Sequence, residues 1–427
     1  MSAASLTGVP IPLALARTAL GAVLLIPLLL LHAHGIAEVA IGVTDVCFLA
    51  RAAILREWRW LRTPWLLVAL TWWGWVLLCS LPIPALGLGE GGASSLLQAV
   101  VGVRFPIFVA ALEFLVLAES AHRRWMFGLI AASVAWIVLN CLVQLVIGYN
   151  LIGWSRGPDG ELTGPFGKPR AGTALARIIL PAIVPPAVAL LARRGLRDKL
   201  AAYALLLGGL VIMVLISQRM PLVLVAGGLA VTALLLRPLR PAVLAAAVAA
   251  GLLLATSSVV APEAYHRLVV KFSAQLDHFP TTQYGQLYAR ALEIGVQNPV
   301  TGLGFDGFKT GCKQPRYFRP TFDGSQPDGG GAKICWVHPH NFYFQAWANG
   351  GAIGLGLFGL TAVFWLLPLA RGLWRDPDPL RVAIFATILV QLWPIQSTSS
   401  FTSMPLGGWF FLILGWGMAE ARYRTRQ

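Results

Sequence analysis

Long apolar stretches recur along the 427-residue chain, and their polar positions return at helical rather than alternating intervals. They fall at 11–31, 35–52, 64–82, 95–117, 125–147, 172–192, 200–217, 221–236, 241–260, 341–369, 382–397 and 403–420. Spanning hydrocarbon takes roughly 20 apolar residues, so the pattern predicts an all-α polytopic membrane protein with about twelve transmembrane helices. The ten-residue alternation that a β-barrel strand needs is missing. The first run is longer than the apolar core of a signal peptide and has no small-residue cleavage site, so it counts as the first span.

One polar segment is long: 261–337, between the ninth and tenth runs. Segments of that length without a function are uncommon in compact proteins. Its first half, YHRLVVKFSAQLDHF and YGQLYARALEIGVQ, has helical spacing that sets Leu287, Ala291 and Ile294 on one side. Its second half, from TGLGFDGFKTG to FDGSQPDGGGAK, is Gly-rich loop. One or two amphipathic helices followed by an irregular lid are expected. With no internal repeat and no Ser-rich or Pro-rich linker, 1–427 reads as a single transmembrane domain with 261–337 as a loop within it.

Composition supports the membrane reading: 57% of residues are hydrophobic, only 12% are charged, and the mean hydropathy is +0.70, which a soluble domain of this length does not show. A net charge of +15 would suit a nucleic-acid binder, but its distribution excludes that partner. Every second loop is basic, carrying Arg51, Arg56, Arg59 and Arg62; Arg123 and Arg124; Arg193, Arg194, Arg197 and Lys199; Arg237 and Arg240; Arg371, Arg375 and Arg381; and Arg422, Arg424 and Arg426. By the positive-inside rule these loops and both termini are cytoplasmic. The loop 261–337 then faces outward, together with Arg156, Lys168, Arg170, Arg219 and Arg290, cations that the rule disfavours on that side.

Charges within spans cost about 2.5–3.5 kcal/mol at the bilayer centre on insertion scales. Arg104 and Asp45, near the middles of their runs, are expected to neutralise each other, and Arg177 lies two turns inside the outer end of its run. Cys47, Cys79 and Cys141 lie in apolar runs and read as packing residues. Cys312 and Cys335 share the outward loop; a disulfide between them would stabilise it by about 3 kcal/mol on the loop-entropy estimate. Two free thiols, or a zinc site shared with His338 and His340, are the alternatives.

At 336–359 the chain reads WVHPHNFYFQAWANGGAIGLGLFG, with two of its seven histidines flanking Pro339. Proline suits the first turn of a helix beginning there. Both imidazoles would then sit at the outer membrane boundary, in reach of a lipid head group and of water. Histidine in such a place is either a satisfied polar residue or a base near neutrality. Arginine suits bidentate phosphate recognition. A histidine base with an arginine clamp can drive attack of a hydroxyl on a phosphate-activated sugar without a metal. Gly350, Gly351, Gly354 and Gly356 read as close helix packing.

HPHNFYFQAWANGGAIGLGLFG resembles the His-Asn…Gly-x-x-Gly signature of the O-antigen ligase and polymerase superfamily of bacterial inner-membrane glycosyltransferases. YARALEIGVQNPVTGLGFDGF is similar to the family's Arg…Pro-x-x-Gly-x-Gly segment, ISQRMPLVL to its Ser-x-Arg turn, and GPFGKPRAGTALA to its Gly-x-Phe-x-x-Pro segment. The resemblance spans 164–360. It implies a glycosyltransferase of lipopolysaccharide biosynthesis that uses no cofactor, takes its glycan from undecaprenyl diphosphate and delivers it to the lipid A core on the periplasmic side. Arg219 and Arg290 would hold the diphosphate with help from Lys168 and Arg170, and Arg177, Arg104 and Asn341 are secondary candidates. The His-Asn dyad falls on His340 and Asn341, yet either His338 or His340 could be the base. Direct displacement would invert the anomeric centre. One large outward loop favours the ligase. A polymerase that extends the lipid-linked glycan is the alternative, to which Arg156 and Gly167 give an Arg-x10-Gly match. A transporter or flippase of an anionic lipid-linked substrate is a third reading.

Overall fold

The computed structural model describes residues 11–193, 195–260, 262–395 and 400–424. Arg194, Ala261, 396–399 and Arg426, which figure in the expected loops and spans, lie outside the described residues. Among the described residues the protein is helical, with one isolated bridge between Tyr149 and Ser155.

Each apolar run becomes helix because, away from water, only intrahelical hydrogen bonds satisfy the backbone. In chain order come α1 (Ile11–His32), α2 (His34–Leu55), α3 (Pro64–Cys79), α4 (Gly92–Gly102), α5 (Arg104–Ala111), α6 (Ser120–Ile147), α7 (Ala171–Leu191), α8 (Leu196–Ile216), α9 (Arg219–Leu235) and α10 (Arg240–Val260). The segment expected outside the membrane holds α11 (Pro262–Tyr265), α12 (Lys271–Asp277), α13 (Gln283–Gln297) and α14 (Gly307–Gly311). Then follow α15 (Phe342–Ala370), α16 (Pro379–Gln391) and α17 (Leu406–Arg424).

Among the described residues, seven helical segments are long and apolar enough to cross a membrane: α1, Gly92–Val116, α6, α7, α8, Arg237–Val259 and α15. The helices α3, α9 and α16 are apolar but shorter, at 10–17 residues. Like-length α2 and α17 carry acidic and basic side chains. The chain is thus polytopic and all-α, with fewer full-length spans than apolar runs.

The run containing Arg104 is not one straight helix. It breaks between α4 and α5 at Val103 and ends in a π turn, Leu112–Val116. Arg104 sits at this break and reaches Glu38 at 3.7 Å. The expected pair with Asp45 does not form, and neither oxygen of that buried carboxyl has a hydrogen-bond partner. The break lets the guanidinium turn toward Glu38, near the start of α2.

Helix α7 forms the centre and packs on α6, α8, α9, α16 and α17. Its Arg177 is therefore enclosed, donating to Thr173 O at 2.7 Å. Beside α7, α15 packs on α3. An aromatic cluster of Phe342, Phe358, Trp365, Phe401, Phe410 and Phe411 fills the space between α15 and α17, with Trp365 stacked on Phe401 at 5.7 Å.

Helix α15 is interrupted at Gly351, where φ is 61° and ψ is −157°. The carbonyls freed there accept from outside the helix: Ala348 O from Leu303 N at 2.9 Å, Asn349 O from Gly304 N at 3.0 Å, and Gly350 O from Trp75 Nε1 at 2.8 Å. In return Ala352 N donates to Pro299 O at 2.7 Å. The segment PVTGLG is thereby stitched into the broken helix. Only part of the glycine pattern serves close packing: Gly354 meets Trp75, Gly351 makes the break, and Gly356 faces open space.

The second core lies in the segment between α10 and α15, where Leu287, Ala291 and Ile294 of α13 pack, as their spacing predicts, against Leu303, Phe308, Tyr317 and Ile334. Cys312 and Cys335 form a disulfide within it.

The break at Gly351 carries a testable consequence. Gly351→Ala is expected to destabilise by about 1–3 kcal/mol from left-handed backbone alone, and further because Val300 backbone lies 2.5 Å from the added methyl. Gly356→Ala is expected to be neutral or to stabilise by about 0.5–1 kcal/mol. Thermal unfolding of the detergent-solubilised protein compares them, and equal shifts would count against the break.

Candidate active site

The histidine pair sits just before α15, in a turn rather than in the helix. The helix starts at Phe342, later than Pro339 suggests, because Asn341 caps it: Oδ1 accepts from Tyr343 N at 2.8 Å and Phe344 N at 3.1 Å. Its Nδ2 donates to Pro394 O at 2.7 Å, tying the cap to the segment after α16. Asn341 is thus a structural residue of the turn. His340 has a φ of 58°, a left-handed backbone that few non-glycine residues adopt. Held this way, the two imidazoles lie 4.5 Å apart, centroid to centroid.

The rings face different surroundings. His340 meets Tyr284 edge-on at 5.4 Å and lies 6.3 Å from Trp336. His338 instead opens on a cavity of about 790 Å³. Neither of its buried ring nitrogens has a hydrogen-bond partner in the protein. Burial, and secondarily the neighbouring His340, lower its pKa from 6.5 to about 4. The imidazole is therefore neutral at physiological pH, with an unbonded lone pair on one ring nitrogen.

The walls come from four parts of the chain: Glu38 near the start of α2, Gln98 and Arg104 around the α4–α5 break, Arg170 at the start of α7, and Asp306 and Lys309 from the Gly-rich loop. Asp306 accepts a hydrogen bond from Gln98; burial raises its pKa, against the opposing effects of Lys309 and Gln98. Ser400, Thr402 and Ser403 add hydroxyls. Among the described residues, no three His, Cys, Asp or Glu side chains gather into a metal-ligating group.

The cations expected to act together are divided by the fold. Arg170 and Arg104 line the cavity with His338. Lys168 is exposed outside it, and Arg177 is enclosed in α7. Arg219, at the first turn of α9, donates to Gln275 Oε1 and lies over Phe272 at 5.8 Å, beside the outward helices. Arg290 is buried in the loop core, donating to the carbonyls of Cys312, Asp328 (3.1 Å) and Gly331 (3.3 Å) and stacking on Phe318 at 4.1 Å. As folded, it staples the Gly-rich segment beside the disulfide and does not reach the cavity. Burial lowers its pKa to about 10, so it stays cationic.

Residues 203–359 match the family model described as O-Antigen ligase. That stretch, somewhat more than a third of the chain, is similar to the O-antigen ligase family. The matched stretch runs from α8 into α15 and includes Arg219, Arg290, the disulfide, both histidines and the Gly351 break. No curated protein matches the chain. The O-antigen ligase family uses lipid-linked glycans in a membrane setting, which agrees with a polar cavity placed among apolar helices.

Sequence reasoning gave no site role to Glu38, Gln98, Asp306 or Lys309. Two signals were present: Glu38 is a charge in an apolar run, and Asp306 lies inside the Gly-x-Gly segment that carries the resemblance.

Two measurements bear on this geometry. Titrated by nitrogen-15 NMR, and assigned by comparison with His338→Gln, the His338 imidazole is expected to stay neutral down to about pH 4; a midpoint near 6.5 would remove the burial argument. Cys312→Ser is expected to loosen the loop by about 3 kcal/mol, read as faster amide exchange in α13 with α6 unchanged.

Proposed function

We propose that the protein is an O-antigen ligase that transfers polysaccharide from undecaprenyl diphosphate to a sugar hydroxyl of the lipid A core. Transfer takes place at the periplasmic face of the bacterial inner membrane. The single observation that carries this reading is a neutral, unpartnered His338 imidazole, in the stretch that matches the O-antigen ligase model, lining a large cavity. The basic loops that alternate along the chain support twelve spans with cytoplasmic termini. The Cys312–Cys335 disulfide is in keeping with a periplasmic loop.

In the proposed reaction the acceptor hydroxyl oxygen attacks the anomeric carbon of the donor. The bond from that carbon to the diphosphate oxygen breaks, and its electron pair leaves with undecaprenyl diphosphate. His338 takes the hydroxyl proton, and direct displacement inverts the anomeric centre. Of the two histidines His338 is the preferred base, since it lines the cavity with ring nitrogens that have no partner in the protein, while His340 packs against Tyr284 and Trp336. His340 orients its neighbour by ring contact and helps to keep it neutral.

A base with so low a pKa is weak in the free enzyme. The diphosphate anion raises it again by favouring the imidazolium, so that full basicity arises with donor bound. Arg219 is the proposed diphosphate ligand, helped by the positive end of α9, at whose first turn it lies. Arg170, expected to help it, lies instead on the cavity wall with His338. Arg290 acts through the loop it staples.

The large outward loop favours ligase over polymerase. The Arg156…Gly167 match does not shift the balance, because Arg156 donates to Leu145 O at 2.8 Å, a carbonyl near the end of α6.

Reconstitution with undecaprenyl-diphosphate glycan, with and without lipid A core, is the test. Glycan on the core is the expected product; lengthened lipid-linked chains without core would make the protein a polymerase. His338→Ala is expected to lower kcat by about 10²–10⁴, and His340→Ala by less. Wild-type rates in His338→Ala would remove it as base. Because the base must be unprotonated and its pKa is depressed, kcat/KM is expected to hold as pH falls through 6.5 and to drop near 4.

A further inference from the structure

In an inverting displacement the attacking hydroxyl, with its base beside it, lies on the face of the anomeric carbon opposite the leaving group. His338 lines the cavity, and its buried ring nitrogens have no hydrogen-bond partner in the protein, so the attacking hydroxyl is taken to come from there. Arg219 is held by Gln275, outside the cavity lining. On the proposed transfer reaction, on which this inference rests, the cavity is therefore the acceptor side.

Asp306 stands out among the cavity's side chains. Its backbone φ is 57°, a conformation costly for a residue with a side chain. The chain on both sides is pinned: Phe305 N donates to Ser80 Oγ at 2.8 Å, and Gly307 N to Asn349 Oδ1 at 3.0 Å. Asp306 also occupies the residue before α14, where an aspartate ordinarily caps the helix, yet its side chain makes no cap bond. The carboxyl turns instead to Gln98, with the cavity beside it. The cavity's other carboxylate, Glu38, is paired with Arg104.

A carboxylate accepts hydrogen bonds through two oxygens, and a side-chain amide both donates and accepts. Side by side they match neighbouring hydroxyls of a sugar ring. We propose that Asp306 and Gln98 form the acceptor-sugar subsite, with Asp306 accepting from ring hydroxyls next to the one that His338 deprotonates. Asp306 is then a specificity-determining residue that binds the acceptor and leaves the proton transfer to His338.

The test uses the full-length protein in liposomes, with donor and acceptor concentrations varied separately. Asp306→Asn keeps the shape and suits left-handed backbone, so folding is preserved. It is expected to raise acceptor KM about tenfold or more, the loss of a hydrogen bond from a charged group, while donor KM stays constant. Gln98→Ala is expected to raise acceptor KM by a smaller factor. An unchanged acceptor KM in Asp306→Asn, or a fall in kcat alone, overturns the subsite, and a matching rise in donor KM assigns the residue to the donor instead. The acceptor is whichever the wild type uses, core or lipid-linked glycan, so the subsite is tested for ligase and polymerase alike. Wild-type transfer to neither acceptor overturns the glycosyl-transfer reading, and the subsite with it.

Discussion

The break in α15 at Gly351 is the constraint on which the site depends. An unbroken helix would bond its own carbonyls, leaving nothing to hold the PVTGLG segment in an apolar setting. With the break, Ala348 and Asn349 accept from Leu303 and Gly304, and Ala352 donates back to Pro299. The same contacts fix Asp306 and Lys309 at the cavity wall. They also seat the disulfide-closed loop over the end of the helix where His338 lies. Gly302 and Gly304, both at positive φ and both against backbone, are part of this joint because no side chain fits there.

Charge in the outward half is separated rather than pooled. Arg290 holds the loop together, Arg219 lies with the outward helices, and Arg104 and Arg170 line the cavity with His338. A neutral base suits this layout, because an imidazolium would repel the cavity's cations before any substrate entered. Burial supplies most of that neutrality and His340 the rest. On the proposed reaction, the anionic donor held at Arg219 reverses the effect, which links base strength to substrate binding.

The sequence by itself determined the class of the protein and the chemistry available to it. Apolar runs long enough for hydrocarbon can only be helices, because the backbone must bond within itself. The spacing of Leu287, Ala291 and Ile294 fixed which face of α13 is buried, and the ordered motifs around Arg219, Arg290 and His340 pointed to the family. These are local properties of the chain, carried by periodicity and composition. The interruption of α15 was not legible, since a glycine that breaks a helix and one that packs or faces open space look alike, as Gly351, Gly354 and Gly356 demonstrate.

Only the tertiary structure decided which charges meet. Arg104 pairs with Glu38 and not Asp45, because the α4–α5 break turns it. Arg290 points into its own loop, where it donates to the carbonyls of Cys312, Asp328 and Gly331. His338 and not His340 opens on the cavity, since the left-handed turn at His340 and the Asn341 cap set the two rings in different surroundings. Such choices depend on contacts between residues far apart in the chain, and local pattern holds no record of them.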